Sequence, residues 1–442
     1  MNYTDAQRVA IGWLDTNLQI IACAGSGKTQ VLAARIVEIL KKKRKERVGP
    51  ENIVAFTFTD KAAAELKDRV NRLAGEELGQ IIGMAEMFVG TIHGYCLHLL
   101  QTYLFKYLKY AVLSKVQSRL LVARNSQKSG LKDVKVIQGP STGQPLSRNP
   151  QDVGVFLDAI NVLREDNVDV RRVPNELLNA LRKYTELLDQ HRYLDYSRIM
   201  IEAKLALSDT GDEAAVRLQR AIGERVKYLI VDEYQDVNPL QEAIIQRIHE
   251  LGANLCVVGD DDQAIYQWRG SEITNILGFA DRYPSVRLVT LAENFRSSQG
   301  VVGSGRRVAE LNNPSRLNKA MVAKSHETFE HGDLLALDFP NPIAEAKWIA
   351  QRIQVIRGLP FVDDPSADSR GLTYSDCAIL LRSVRNNGTV ITQALEEAGI
   401  PYVVGGLANL FDRLEVQAAV GIFLYMVRQL DESGLRNLWQ GA

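Results

Sequence analysis

The sequence predicts an α/β fold, a parallel sheet covered by helices on both faces, with a mainly helical insertion. Three observations carry that prediction. Short apolar runs alternate with helical stretches through residues 1–100, the rhythm of strands joined by crossover helices. One of these runs leads directly into a Gly-rich turn and then a helix. The same rhythm returns near residue 227, after a stretch over 101–194 that reads as helix.

The elements follow in order. Residues 18–22 read as a buried strand, followed by a turn and a helix over 29–45. Residues 53–57 and 88–91 read as further strands, with a helical 61–73 between them. Within the interruption, 126–149 is rich in Gly, Ser, Pro and Lys and is expected to form a mobile loop. Strand-like runs resume at 227–231, 255–258 and 286–290. A second α/β stretch then reads as strand 334–339, helix 342–357, strand 377–381, helix 389–398, strand 402–404 and an amphipathic helix over 412–429. The segment 360–369 is expected to be a surface loop, and no repeat of solenoid length is visible.

The 442 residues suggest about three structural units at roughly 150 residues each. Lys and Arg (53) balance Asp and Glu (53), and 46% apolar with 24% charged residues is a globular rather than a disordered composition. No apolar run reaches the ~18 residues of a membrane span, and the N-terminus has no signal-peptide pattern, so no membrane partner is expected. Cys23, Cys96, Cys256 and Cys377 lie too far apart for a CxxC site and are too few for a disulfide scaffold; a cytoplasmic location is expected. Zero net charge neither supports nor excludes a nucleic acid partner. The basic run 41–47 reads either as a nucleic-acid patch or as cations at a helix C-terminus.

The turn after the first strand is Ala22-Cys23-Ala24-Gly25-Ser26-Gly27-Lys28-Thr29. Ala22 stands where a strict GxxxxGK[ST] pattern has glycine, but the working parts of a phosphate loop are present. Gly25 and Gly27 permit a tight turn that aims backbone N–H groups at phosphate oxygens. The helix adds its positive end, Lys28 reaches the β and γ phosphates, and the Thr29 hydroxyl can ligate Mg²⁺. Downstream, the apolar run 228–231 ends in Asp232-Glu233, which places two acids at the carboxyl edge of the sheet. There Asp232 would hold Mg²⁺ and Glu233 would deprotonate the attacking water. Cys23 beside a helix N-terminus is read either as a thiol of lowered pKa or as a small buried residue.

Asp232-Glu233-Tyr234-Gln235-Asp236 resembles the Asp-Glu-x-Gln-Asp segment of superfamily 1 DNA helicases of the UvrD/Rep/PcrA type. Other segments are similar to that family in the same order. Thr4-Asp5-Ala6-Gln7 resembles its adenine-reading motif, 56–63 its TFTNKAA segment and 90–96 its TFHSFC segment. Leu194-Asp195-Tyr196 resembles LDF, 259–270 resembles GDxxQSIYxWRGA, 291–297 resembles LxxNYRS, and 405–413 resembles GGxxFFDR.

The resemblance implies RecA-like P-loop NTPase sheets in two motor domains. The first would span 1–104 and 195–289, with a helical insertion at 105–194; the second would span 290–442. It implies ATP and Mg²⁺ as cofactors, ATP-driven movement on single-stranded DNA in the 3′ to 5′ direction, and duplex junctions as substrates in repair or replication. The nucleotide would be held by Gln7, Ala24, Gly25, Ser26, Gly27, Lys28, Thr29, Phe295 and Arg296, with Thr29 and Asp232 on the metal. Catalysis would fall to Lys28, Glu233, Gln263 and Arg296, with Arg296 neutralising charge on the γ-phosphate. DNA would meet Thr57, Phe58, Thr91, His93, Tyr266, Trp268 and Arg269, the aromatics by stacking; a core role is the alternative for Trp268. Asp60 stands where the family has asparagine. The family's last two motifs, a GLEF-like and a VALTRA-like segment, are not found. The second domain is therefore expected to be incomplete, and repair or replication proteins, or a C-terminal complement, are the candidate partners. The alternative function is a nucleotide- and DNA-binding regulatory protein without productive unwinding.

Overall fold

The computed structural model describes residues 2–42, 46–79, 82–137, 142–267, 270–325, 328–363, 367–405 and 414–440. The chain forms two compact units, Met1–Phe329 and Glu330–Ala442. The first opens with α1 (Asp5–Gly12), β1 (Leu18–Ala22), α2 (Lys28–Lys42), β2 (Ile53–Phe56), α3 (Asp60–Leu78), β3 (Phe88–Gly90) and α4 (Ile92–Tyr103). Next come β4 (Ala111–Val112), α5 (Lys115–Arg124), α6 (Pro150–Glu165), α7 (Asn175–His191), β5 (Tyr193–Leu194), α8 (Tyr196–Ser208) and α9 (Glu213–Arg225). The unit continues with β6 (Tyr228–Val231), α10 (Pro239–Glu250), β7 (Asn254–Gly259), the single turns α11 (Thr274–Leu277) and α12 (Phe279–Arg282), and β8 (Arg287–Leu291). It ends with β9 (Glu293–Asn294), α13 (Gln299–Glu310) and β10 (Val322–Ala323).

Six strands form one parallel sheet in the order β3-β2-β6-β7-β1-β8. Every residue of β1, β2 and β6 is buried, as a sheet covered on both faces requires. Alternation sends successive side chains to opposite faces. Ile53, Ala55 and Ile230 pack with Val31 of α2 and Val70 of α3. Val54, Phe56 and Val231 pack with Leu99 of α4, Met200 of α8 and Ile244 of α10. Each fully buried Leu, Ile, Val or Phe contributes about 1.5–3 kcal/mol relative to exposure. Because all six strands run the same way, the residues that follow β1, β2, β3, β6, β7 and β8 share one edge of the sheet.

Between β4 and β5, helices α5, α6 and α7 enclose their own core of Val122, Phe156, Ile160 and Tyr184. The segment expected to be a mobile loop is irregular but anchored. Leu131 and Leu146 are buried in that core, and Gly130, at φ 82°, approaches so closely that an added Cβ would lie 2.5 Å from Ala180 Cα.

The second unit contains α14 (Pro342–Ile356), β11 (Pro360–Phe361), β12 (Arg370–Gly371), α15 (Val384–Glu397), α16 (Leu414–Met426) and α17 (Glu432–Gln440). Ala346 and Ala350 of α14 pack on Ile391 and Leu395 of α15. The strands expected at 334–339, 377–381 and 402–404 are not strands here. A short apolar run specifies extended backbone but not a partner: Leu380 is 92% and Val403 96% exposed, while Ile379 and Leu381 pack on the core of α14 and α15. The pairing among the described residues of this unit is β11 with β12, antiparallel, inside the segment expected to be a loop. A second parallel sheet is thus not present among them. Residues 43–45 of the basic run and 406–413 of the GGxxFFDR-like segment lie outside the described residues.

Candidate nucleotide site and aromatic platform

The loop between β1 and α2 turns through Gly25 at φ 67° and Gly27 at φ 82°, a left-handed backbone that glycine alone adopts at no steric cost. The loop is tied down from β8 and β9. Cys23 N–H donates to Leu291 O at 3.0 Å and Phe295 N–H to Gly25 O at 2.9 Å. Helix α2 begins at Lys28, so its first-turn N–H groups open toward the loop. Ser26 is buried and its Oγ has no hydrogen-bond partner among the described residues. A left-handed turn, open N–H groups and a buried unpaired hydroxyl fit a phosphate chain. Gln7 closes one side. Its amide accepts from Thr4 N–H at 3.0 Å and donates to Ser26 O at 3.0 Å, leaving one lone pair and one N–H for a further partner.

The carboxylates stand at the end of β6. Lys28 Nζ donates to Glu233 Oε1 at 3.0 Å and Oε2 at 2.9 Å. Glu233 sits at φ 50°, a strained position for a residue with a side chain and worth about 1–3 kcal/mol. Asp232 is pushed up to about 6, first by burial and then by the charge of Glu233, with Lys28 opposing. Asp236 is raised to about 6 by the same two causes. Burial therefore makes the ionised form of both carboxylates costlier than in water. Gln235 donates to Glu233 Oε2 at 2.8 Å and accepts from Asp260 N–H at 3.0 Å, so it joins the ends of β6 and β7.

After β7, the Gln263 amide donates to Asp260 Oδ2 at 2.5 Å. Asp260, Asp261 and Asp262 converge closely enough to hold a cation, but Lys319 and Arg316 occupy their oxygens. Sequence reasoning missed both cations. Three consecutive acids after an apolar strand demand positive partners, but nothing in the pattern says which. It also missed Asn294, whose Oδ1 accepts the N–H groups of Arg296 and Ser297, each at 2.8 Å. This cap sets the turn that carries Phe295 and Arg296, both exposed beside Gly25.

The candidate DNA residues divide. Phe58, after β2, stacks on Tyr266 at 5.3 Å and 24° and is 39% exposed. Thr57 and Thr91 spend their hydroxyls on the fold: Thr57 donates to Thr59 O at 3.0 Å, and Thr91 caps α4. His93 meets Tyr196 edge-on, and burial lowers its pKa against the pull of Asp60. Trp268 and Arg269 lie outside the described residues. Cys23 corrects one reading. Burial, then Asp260, pushes its thiol up to about 11, so the helix N-terminus does not activate it.

Residues 3–284 match the family model of the UvrD/REP helicase N-terminal domain, and 289–441 that of the UvrD-like helicase C-terminal domain. The chain belongs to the UvrD/REP helicase family. It is 29% identical over 438 residues to the ATP-dependent DNA helicase PcrA of Bacillus subtilis, covering 96% of this chain and 53% of that protein. It is 29% identical over 444 residues to UvrD1 of Mycobacterium tuberculosis, covering 98% and 53%. It is 28% identical over 447 residues to DNA helicase II of Escherichia coli, covering 98% and 55%. The chain thus spans about half the length of these UvrD-type relatives. No helix among its described residues is long and apolar enough to cross a membrane.

Proposed function

We propose that this chain hydrolyses ATP to move along single-stranded DNA and to separate duplex at junctions, 3′ to 5′, as a UvrD-type motor. The observation that carries the reading is the Lys28–Glu233 contact at the head of a glycine-turned phosphate loop. Gln7 would read the adenine edge, and Phe295 would stack on the base. Ala24 through Gly27 would turn N–H groups to the phosphates, and Lys28 would neutralise them. Glu233, in contact with Lys28, would take the proton of the attacking water, and Arg296 would neutralise charge developing on the γ-phosphate. Thr29 and Asp232 would hold a Mg²⁺, which would neutralise charge shared by the β and γ phosphates. Phe58 and Tyr266 would offer a stacking face for bases. We read residues 1–104 and 195–289 as the ATP-binding motor domain, 105–194 as its insertion and 290–442 as the second motor domain. The four unpaired cysteines suit a reducing cytoplasm.

A second reading, nucleotide and DNA binding without productive unwinding, is favoured by the apolar runs of the second unit that pair with no strand among the described residues. Phosphate release by the purified chain, with and without single-stranded DNA, tests both. DNA-stimulated turnover lost in Glu233→Gln supports the motor. ATP binding without stimulation supports the second reading, and absence of ATP binding overturns both.

A further inference from the structure

The end of β7 gathers more buried charge than phosphate binding calls for. Asp260 and Asp261 are 3% and 5% exposed, and Lys319 is 7% exposed. The Lys319 ammonium contacts Asp260 and Asp261 and lies 3.2 Å from Asp262. Arg316 forks onto Asp262 at 2.8 and 2.6 Å, and Leu317 N–H donates to Asp261 at 2.8 Å. Carboxylates buried side by side need such cations. The cluster also has a direction. The Asp260 carboxylate receives Lys319, the Asp262 N–H at 3.2 Å and the Gln263 amide at 2.5 Å. Its backbone N–H reaches Gln235, which reaches Glu233, which holds Lys28. Asp260 therefore stands between the two, its backbone N–H on the Gln235–Glu233–Lys28 side and its carboxylate on Gln263, and Lys319 holds that carboxylate with a full charge.

We propose that Lys319 is a positioning residue for ATP turnover: by holding the Asp260 carboxylate it sets the orientation of the Gln263 amide. The proposal rests on the ATPase reading above. A carboxylate held by a buried ammonium keeps one rotamer, so the amide that donates to it keeps one direction. A purely structural lysine would staple 316–319 to the sheet and leave Gln263 indifferent to its loss.

The two roles separate in a double-mutant cycle of Lys319→Met and Gln263→Ala, read as kcat and KM for ATP with single-stranded DNA, alongside Tm. Lys319→Met should lower kcat by about tenfold with KM within about threefold, and should change kcat by less than about twofold when Gln263 is already alanine. Lys319→Arg should restore part of the loss. If Lys319→Met does not fold, Lys319→Gln replaces it in the cycle, with the same expectation. Normal kcat in the folded variant, or losses that multiply fully with Gln263→Ala, would overturn the proposal even where Tm falls. A parent chain that binds no ATP overturns the ATPase reading and this role together. A parent that turns over ATP and loses nothing through Lys319 overturns this role alone.

Discussion

The Lys28 ammonium lies 3.0 and 2.9 Å from the two carboxylate oxygens of Glu233, so the candidate phosphate-binding cation and the candidate base neutralise one another. A triphosphate entering the loop must compete with Glu233 for Lys28. Glu233→Gln weakens the competitor and removes the base in one step. ATP affinity in this variant should be equal to the parent's or tighter, while turnover falls about 10²–10⁴-fold. Fluorescent-nucleotide titration and phosphate release measure the two. Surviving turnover would move the role of base to Asp236.

A pH-dependent prediction comes from Asp236. Its Oδ1 has no hydrogen-bond partner among the described residues, and burial followed by Glu233 lifts the carboxyl to about 6. The folded chain then binds this proton more tightly than the unfolded chain, whose aspartates titrate at about 3.9. Stability from this group is therefore greatest below that value, falls as pH rises through the window to about 6, and stays low above it. Asp236→Asn removes the charged form. Its Tm relative to the parent should be higher near pH 8 than near pH 4, measured by thermal melts in matched buffers. A difference independent of pH would show that the carboxyl titrates normally in the fold.

What is legible in the sequence is what is local. The expected strands at 18–22, 53–57, 227–231 and 255–258 overlap β1, β2, β6 and β7, because runs buried on both faces are continuous in sequence. The glycine turn between β1 and α2 and the Asp232-Glu233 pair at the end of β6 are legible for the same reason. What joins them is not. Lys319 meets Asp260 across 59 positions, and Gln235 meets Asp260 across 25. No spacing rule relates such pairs. In the second unit, apolar runs near 377–381 and 402–404 suggest strands, yet a strand needs a neighbour, and the neighbour is not written in the run itself.

The cysteines give a chemical test. Cys23, Cys96 and Cys256 are buried, whereas Cys377 is partly exposed. Cys23 is also held protonated, its pKa pushed up to about 11 chiefly by burial. Iodoacetamide at neutral pH should label Cys377 and spare the other three, as read by peptide mass spectrometry. Rapid labelling of Cys23 in the folded chain would show that the loop between β1 and α2 opens to solvent.

The stack of Phe58 on Tyr266 at 5.3 Å pairs two segments that follow different strands. Tyr266→Ala should weaken single-stranded DNA binding by about 1–3 kcal/mol, the worth of one stacked base. ATP binding measured without DNA should stay near the parent's value. Fluorescence anisotropy with a labelled oligonucleotide checks the first and nucleotide titration the second. Unchanged DNA affinity would leave the pair as an internal packing contact.

The two loop glycines share a left-handed backbone but not their surroundings, and this difference predicts unequal responses. An alanine at either position pays the left-handed penalty of about 1–2 kcal/mol. At Gly27 the added Cβ would meet Gln7 Nε2 at 3.3 Å, the end of a side chain that can shift by a few tenths of an ångström. At Gly25 it would fall 2.6 Å from Asn294 Oδ1 and 2.9 Å from Arg296 Cβ. Asn294 cannot yield freely, because that same oxygen holds the N–H groups of Arg296 and Ser297. Displacing it would release the turn that carries Phe295 and Arg296 as well as strain the loop. Gly25→Ala should therefore lower Tm, measured without nucleotide, by clearly more than Gly27→Ala. Asn294→Ala in the Gly25→Ala background should add little further loss, since the cap is already broken. Equal losses at the two glycines would mean that backbone conformation alone, and not the contact with Asn294, requires glycine at position 25.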